Sequence, residues 1–200
     1  MNKEEEIRFA SQALLNHGVV AFPTDTVMGL GVVFDDEIAY NKLNVIKRRP
    51  ATKPYSMMLA CKEDISKYAY VNNDISKAID AFLPGPITFL LKAKPCVPGY
   101  VTHNTGIIGI RVVPIKEVCY LIELTGKPLL VPSANISGEP PALNSNEVKN
   151  IFGDSLDAVI SGEVQIGQAT TVADFSQEHV KILREGPISL TQIENAIKGE

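Results

Sequence analysis

The chain has 200 residues, 45% of them hydrophobic and 21% charged, with a formal net charge of −4 at pH 7. That mixture can fill the core of one globular domain over residues 1–200 and excludes fibrous, collagen-like and disordered classes, while the acidic balance disfavours general coating of nucleic acid through surplus Lys and Arg. No apolar run approaches the ~20 residues of a membrane-crossing helix, and no signal or transit peptide is expected, so no membrane partner is expected either.

Ile7, Ala10 and Leu14 recur at helical spacing and predict an opening amphipathic helix that stops near His17-Gly18. Val19 to Phe22 reads as a buried strand feeding a tight loop that runs through Pro23-Thr24-Asp25-Thr26 to Gly29 and Gly31. Asp35 or Asp36 can cap a second helix to about Lys47, with Ala39, Leu43 and Ile46 inward. A strand is expected at Tyr55 to Ala60, then one or two helices from Asp64 to Leu83, stopped by Pro84-Gly85-Pro86. A strand at Ile87 to Leu91 precedes a loop from Pro95 to Gly106, a strand at Ile107 to Val113, a helix around Lys116 to Leu124 and a strand at Pro128 to Val131. Asn144 with Glu147, and Ser189 with Gln192, have the spacing of capping boxes for the last two helices. Strands at Ala158 to Ile160, Thr171 to Phe175 and Lys181 to Leu183 lie between those helices. Helices and strands alternate without a clean βαβ repeat, so an α/β domain is expected, with a mixed, partly parallel sheet of about seven strands and helices packed on it.

Several catalytic patterns are absent. There is no phosphate-binding Gly-x-x-x-x-Gly-Lys-Ser/Thr loop, no dinucleotide Gly-x-Gly-x-x-Gly, no Gly-x-Ser-x-Gly elbow and no His-Glu-x-x-His. His17, His103 and His179 stand in no metal-ligand spacing, and no metal ligands are assigned. Cys61, Cys96 and Cys119 are odd in number and never form Cys-x-x-Cys, so free thiols in a reducing cytoplasm are expected.

Lys47, Arg48, Arg49 and Lys53 put four cations within seven residues, interleaved with Pro50 and Pro54. Such a run is either a solvated charged turn or, stiffened by proline, a fork for phosphate or carboxylate. Pro132-Ser133-Ala134-Asn135-Ile136-Ser137-Gly138 follows an apolar strand. It reads equally as an ordinary polar turn or as hydroxyl and amide groups at a strand's carboxyl end, where sheets bind ligands. Pro23 to Thr26, Thr170-Thr171 and Arg184-Glu185-Gly186 are further polar strand ends that could share one edge.

In this order the segments PTDTVMGLG (Pro23 to Gly31), KRRPATKP (Lys47 to Pro54), PGPITFLL (Pro84 to Leu91), GIRV (Gly109 to Val112), PSANISG (Pro132 to Gly138), TTVAD (Thr170 to Asp174) and LREG (Leu183 to Gly186) resemble the YrdC-like family of threonylcarbamoyl-adenylate synthases. The Lys-x-Arg and Ser-x-Asn pair are its specific features, and the resemblance covers nearly the whole chain. It implies a YrdC-like twisted sheet with a basic concave cavity and no second C-terminal domain. It further implies an enzyme condensing L-threonine, bicarbonate and ATP, with Mg2+ on the nucleotide, into threonylcarbamoyl-AMP and pyrophosphate. A downstream transferase complex would place the threonylcarbamoyl group on the adenosine beside the tRNA anticodon.

By the same resemblance Lys47 and Arg49 are the catalytic pair on ATP phosphates and the threonine carboxylate, and Lys53 adds charge to their wall. Thr26, Arg111, Ser133 and Thr170 fall at threonine-contacting positions, and Arg49, Lys53, Asn135 and Arg184 at ATP-contacting ones. Met28 stands where the family has Tyr, Ile107 where Thr or Ser is common, and Thr170 where Ser is usual. Ile107 lacks the hydroxyl that a nucleotide contact there would use. Two other readings stay open: a double-stranded RNA or tRNA-binding module of the same fold without synthase activity, and a carbamoyl-adenylate or sugar-phosphate enzyme on that fold.

Overall fold

The computed structural model describes residues 1–49, 54–164 and 169–199. Along the described chain run α1 (Lys3–Leu15), β1 (Val20–Pro23), β2 (Met28–Val33), α2 (Glu37–Lys47), β3 (Ser56–Leu59), α3 (Ile65–Tyr68), α4 (Asn73–Phe82), β4 (Ile87–Lys92) and α5 (Gly99–Thr102). They continue with β5 (Ile107–Val112), α6 (Lys116–Thr125), β6 (Leu129–Leu130), α7 (Ser145–Phe152), β7 (Ala158–Val159), β8 (Thr171–Asp174), β9 (Lys181–Arg184) and α8 (Leu190–Lys198).

Helix ends follow their local chemistry. Asn2 and Glu5 form a reciprocal capping box on α1, and Ser189 and Gln192 form one on α8. Of the two candidate aspartates it is Asp36 that caps α2, its carboxylate accepting from the Ala39 N–H at 3.0 Å. Asn144 caps α7 as expected, while Glu147 reaches one residue further back and accepts from the Leu143 N–H at 2.7 Å.

The strands form one mixed sheet of nine in the order β7-β1-β2-β6-β3-β5-β4-β8-β9. The β1/β7, β3/β5 and β4/β8 pairs are parallel and the rest antiparallel. The sheet has nine strands where about seven are expected: each of the eight segments named as strands contributes one, and the ninth is β2, whose Met28 to Gly31 fall in the stretch read as a loop. Gly29 and Gly31 suggested a turn, yet they serve close packing: a Cβ at Gly31 would stand 2.6 Å from the Phe22 ring, and one at Gly29 would stand 2.8 Å from Val131. Gly31→Ala is therefore expected to destabilise the fold by ~1–3 kcal/mol through overpacking. Thermal unfolding checks this, and an unchanged midpoint would contradict the close approach.

Strand alternation divides the apolar residues between two cores. On one face Ala21, Leu30, Met57, Ile108, Ile110 and Leu130 pack with Leu43 of α2, Ile79 of α4 and Ile193 of α8. On the other, Val20, Phe22, Val33, Met58 and Leu129 pack with Leu14 of α1 and Leu121 of α6. The second face is only partly roofed by α1 and α6, and beside them it opens into a cavity.

Candidate functional site

The cavity holds about 740 Å3 and is floored by the sheet. Thr88 and Leu90 of β4, Gly109 and Arg111 of β5, and Val172 of β8 alternate with the buried residues of the same strands and line it. Gly109 keeps the floor low, since a Cβ there would meet Leu90 and Ser56 at 3.1 and 3.2 Å.

Its rim is made of strand ends. The β1/β2 hairpin contributes Thr26, whose N–H donates to Thr24 Oγ1 at 3.3 Å while Thr24 Oγ1 donates to the Val27 carbonyl at 2.6 Å. That hydroxyl-stabilised turn holds Thr26 against the cavity. The turn after β6 contributes Ser133, the segment before β8 contributes Thr170, and β9 contributes Arg184.

Three guanidiniums reach the cavity, and among its described lining residues there is no carboxylate. Arg111 Nη2 donates to Asp25 Oδ1 at 2.8 Å, with side chains only 12% and 15% exposed, while Arg111 Nε is buried without a partner. Arg184 Nε donates to the Thr170 carbonyl at 2.9 Å and Nη2 to Thr170 Oγ1 at 2.7 Å, tying the β9 wall to the β8 entrance. Burial, then the nearby Arg111 charge, push the Arg184 pKa below its ordinary value. Arg49 follows Arg48, whose left-handed backbone (φ 49°) ends α2 and turns the chain. Its guanidinium lies 4.4 Å from the Tyr55 ring centroid and donates to the Pro54 carbonyl at 2.9 Å. Burial pulls its pKa down, opposed by Tyr55 and Tyr40. Concentrated, half-buried positive charge of this kind favours an anionic occupant.

Six of the expected site residues thus share one cavity: Thr26, Arg49, Arg111, Ser133, Thr170 and Arg184. Lys53 lies outside the described residues. Lys47 and Asn135 depart from expectation, since neither lines the cavity. Lys47 is 1% exposed, and its ammonium donates to the carbonyls of Ser133 and Asn135 at 2.6 and 2.7 Å and to Asn135 Oδ1 at 3.2 Å. It sits behind the wall because it continues the inward stripe of α2, four residues after Leu43. Burial, then the Arg49 charge, lower its pKa to about 8, so the group stays mostly protonated at neutral pH.

Ile107 sits at the far end of β5, paired with Lys92, and does not line the cavity. The Met28 side chain is fully buried in the core. Sequence reading missed Asp25 as the partner of Arg111, although it stands between two threonines already singled out. It also missed Tyr55 as the surface on which Arg49 lies. Among the described residues no group of three His, Cys, Asp or Glu could hold a metal ion, and no helix is long and apolar enough to cross a membrane. The three cysteines are free thiols.

Residues 12–186 match the family model Sua5_yciO_yrdC, described as "Telomere recombination". A protein of Methanocaldococcus jannaschii is 35% identical over 197 residues, covering 96% of this chain and 93% of its own. The threonylcarbamoyl-AMP synthase of Pyrococcus abyssi is 34% identical over 198 residues, covering 98% of this chain, which spans 58% of that longer protein. The solved structure of P. abyssi Sua5 complexed with L-threonine superposes with a TM-score of 0.91 at 32% identity, over 98% of this chain and 58% of that one.

Proposed function

Since the chain belongs to the Sua5/YciO/YrdC family, we infer that it is a threonylcarbamoyl-AMP synthase, joining L-threonine, bicarbonate and ATP and releasing pyrophosphate. The observation that carries this reading is the convergence of Arg49, Arg111 and Arg184 with the hydroxyls of Thr26, Ser133 and Thr170 on one cavity. Two anions have to be held side by side there, and the arrangement supports that. Bicarbonate gives carbon dioxide and hydroxide, and the neutral threonine amine adds to the carbon dioxide while its lost proton converts the hydroxide to water. The carbamate oxygen then attacks the α-phosphorus, and pyrophosphate leaves with the bond electrons. No protein nucleophile is required, so alignment and charge neutralisation are the protein's main contribution.

In this reading Arg111, Thr26, Ser133 and Thr170 hold threonine, while Arg49, Lys53 and Arg184 face the ATP phosphates. Lys47 and Asn135 shape the wall without touching substrate. Magnesium arrives on the nucleotide, because the described lining offers guanidiniums and hydroxyls and no carboxylate to hold the ion alone. The product passes to a transferase complex that modifies the adenosine beside a tRNA anticodon. Residues 1–200 act as one domain, a view supported by the single sheet.

The test is pyrophosphate release by the purified protein given ATP and magnesium. Release that requires both threonine and bicarbonate is expected. Release independent of threonine, or release supported by carbamoyl phosphate instead, would contradict the reading.

A further inference from the structure

The hydrogen bonds around Asn135 determine which way its neighbour's proton points. Asn135 Nδ2 donates to the carbonyls of Ile136 at 2.9 Å and Glu139 at 2.7 Å. Two carbonyl partners fix that end of the amide as nitrogen, so the oxygen end faces Lys47 and Ser133. Lys47 confirms the orientation from the other side, since an ammonium can only donate. Asn135 Oδ1 has no hydrogen, so its 2.6 Å contact with Ser133 Oγ uses the single hydroxyl proton of Ser133. Ser133 therefore turns only lone pairs to the cavity it lines. The turn is also clasped through the main chain, because the Ser137 N–H donates to the Lys47 carbonyl at 2.9 Å.

We propose that Lys47, acting through Asn135, is a positioning residue that fixes the Ser133 hydroxyl as a hydrogen-bond acceptor, so that Ser133 reads an N–H or O–H of the amino-acid substrate and not an anionic oxygen. Phosphate and carboxylate offer acceptors only and are left to the three arginines. Threonine carries two donors, its amine and its hydroxyl, and one of them meets Ser133. Without the Lys47 ammonium, three oxygens of the turn lose a buried donor, and the Asn135 amide keeps only its Nδ2 bonds to the Ile136 and Glu139 carbonyls, so the turn that sets the Ser133 hydroxyl against Asn135 Oδ1 loosens. This inference rests on the cavity being the threonine site.

Calorimetry on the full chain tests it with two probes, L-threonine and a non-hydrolysable ATP analogue with magnesium. Ser133→Ala is expected to weaken threonine binding about tenfold and to leave the nucleotide within about twofold. Lys47→Met is expected to produce the same split, and the double variant should be no worse than either single one, because both act through one hydroxyl. Should Lys47→Met fail to fold by circular dichroism, Asn135→Ala carries the same expectation. A general structural role would weaken both ligands together.

The proposal is overturned if Ser133→Ala leaves threonine binding intact, if either single variant weakens the nucleotide tenfold, or if the two losses add. Failure of the wild-type protein to bind threonine at all would instead overturn the functional reading itself.

Discussion

Arg111→Ala should lower threonine-dependent pyrophosphate release by ~100-fold or more and destabilise the protein by ~3–5 kcal/mol. Both effects come from one geometry. Arg111 and Asp25 form a 2.8 Å ion pair that is mostly buried, so truncating the arginine leaves a carboxylate only 15% exposed in the turn between β1 and β2 without its counter-charge. The same guanidinium reaches the cavity from the floor, where an incoming carboxylate would lie. The two roles separate in a double variant. Asp25→Asn combined with Arg111→Met removes both charges, so it should recover much of the lost stability and none of the activity. A double variant that regains activity would show that Arg111 supports the fold only, and an Arg111→Ala protein as stable as wild type would show that the ion pair contributes little.

The second large effect is expected at Arg49. Arg49→Ala should lower turnover by ~10- to 100-fold, the range given by losing a hydrogen bond to a charged group. The loss should appear as weaker binding of an ATP analogue, with threonine binding less affected. Arg49→Lys should restore little of it, because the ammonium cannot lie flat on the Tyr55 ring and offers no planar fork to a phosphate. Equal nucleotide affinity in wild type and Arg49→Ala would remove this residue from the phosphate side.

Much of this arrangement was legible in the residues, and the reasons differ from place to place. Periodicity located α1 because it has a solvent face and a core face, with Ile7, Ala10 and Leu14 inward, and capping residues located α7 and α8, whereas the four-residue α5 lies inside the Pro95 to Gly106 segment read as a loop. Periodicity failed at β2, where glycines at alternate positions mimic a turn although Gly31 admits the Phe22 ring and Gly29 the Val131 side chain. Thr26, Ser133, Thr170 and Arg184 were recognisable as polar strand ends, because an α/β sheet exposes ligand groups where strands stop, whereas Arg111 lies inside β5 and was named only by the family resemblance.

The direction of Lys47 was harder to read. Lys47 and Arg49 are two positions apart, and the family resemblance assigns both to the same ligands. The helix ends between them, and the left-handed Arg48 sends the two side chains to opposite sides of the wall. A usable signal was present, since Ala39, Leu43 and Lys47 stand at successive four-residue steps. A lysine continuing an apolar stripe is a candidate for a buried donor. The orientation of the Ser133 proton could not be read at all without coordinates, because it depends on carbonyls at Ile136 and Glu139 that local sequence does not aim.

The central claim is that this cavity holds L-threonine beside a nucleotide. Its most direct test is calorimetric titration of L-threonine into the protein, with L-serine as control, in the absence and presence of magnesium and a non-hydrolysable ATP analogue. The account predicts threonine binding that exceeds serine binding and tightens when the nucleotide is present. Absence of threonine binding under every condition, or equal binding of serine and threonine untouched by nucleotide, would contradict it.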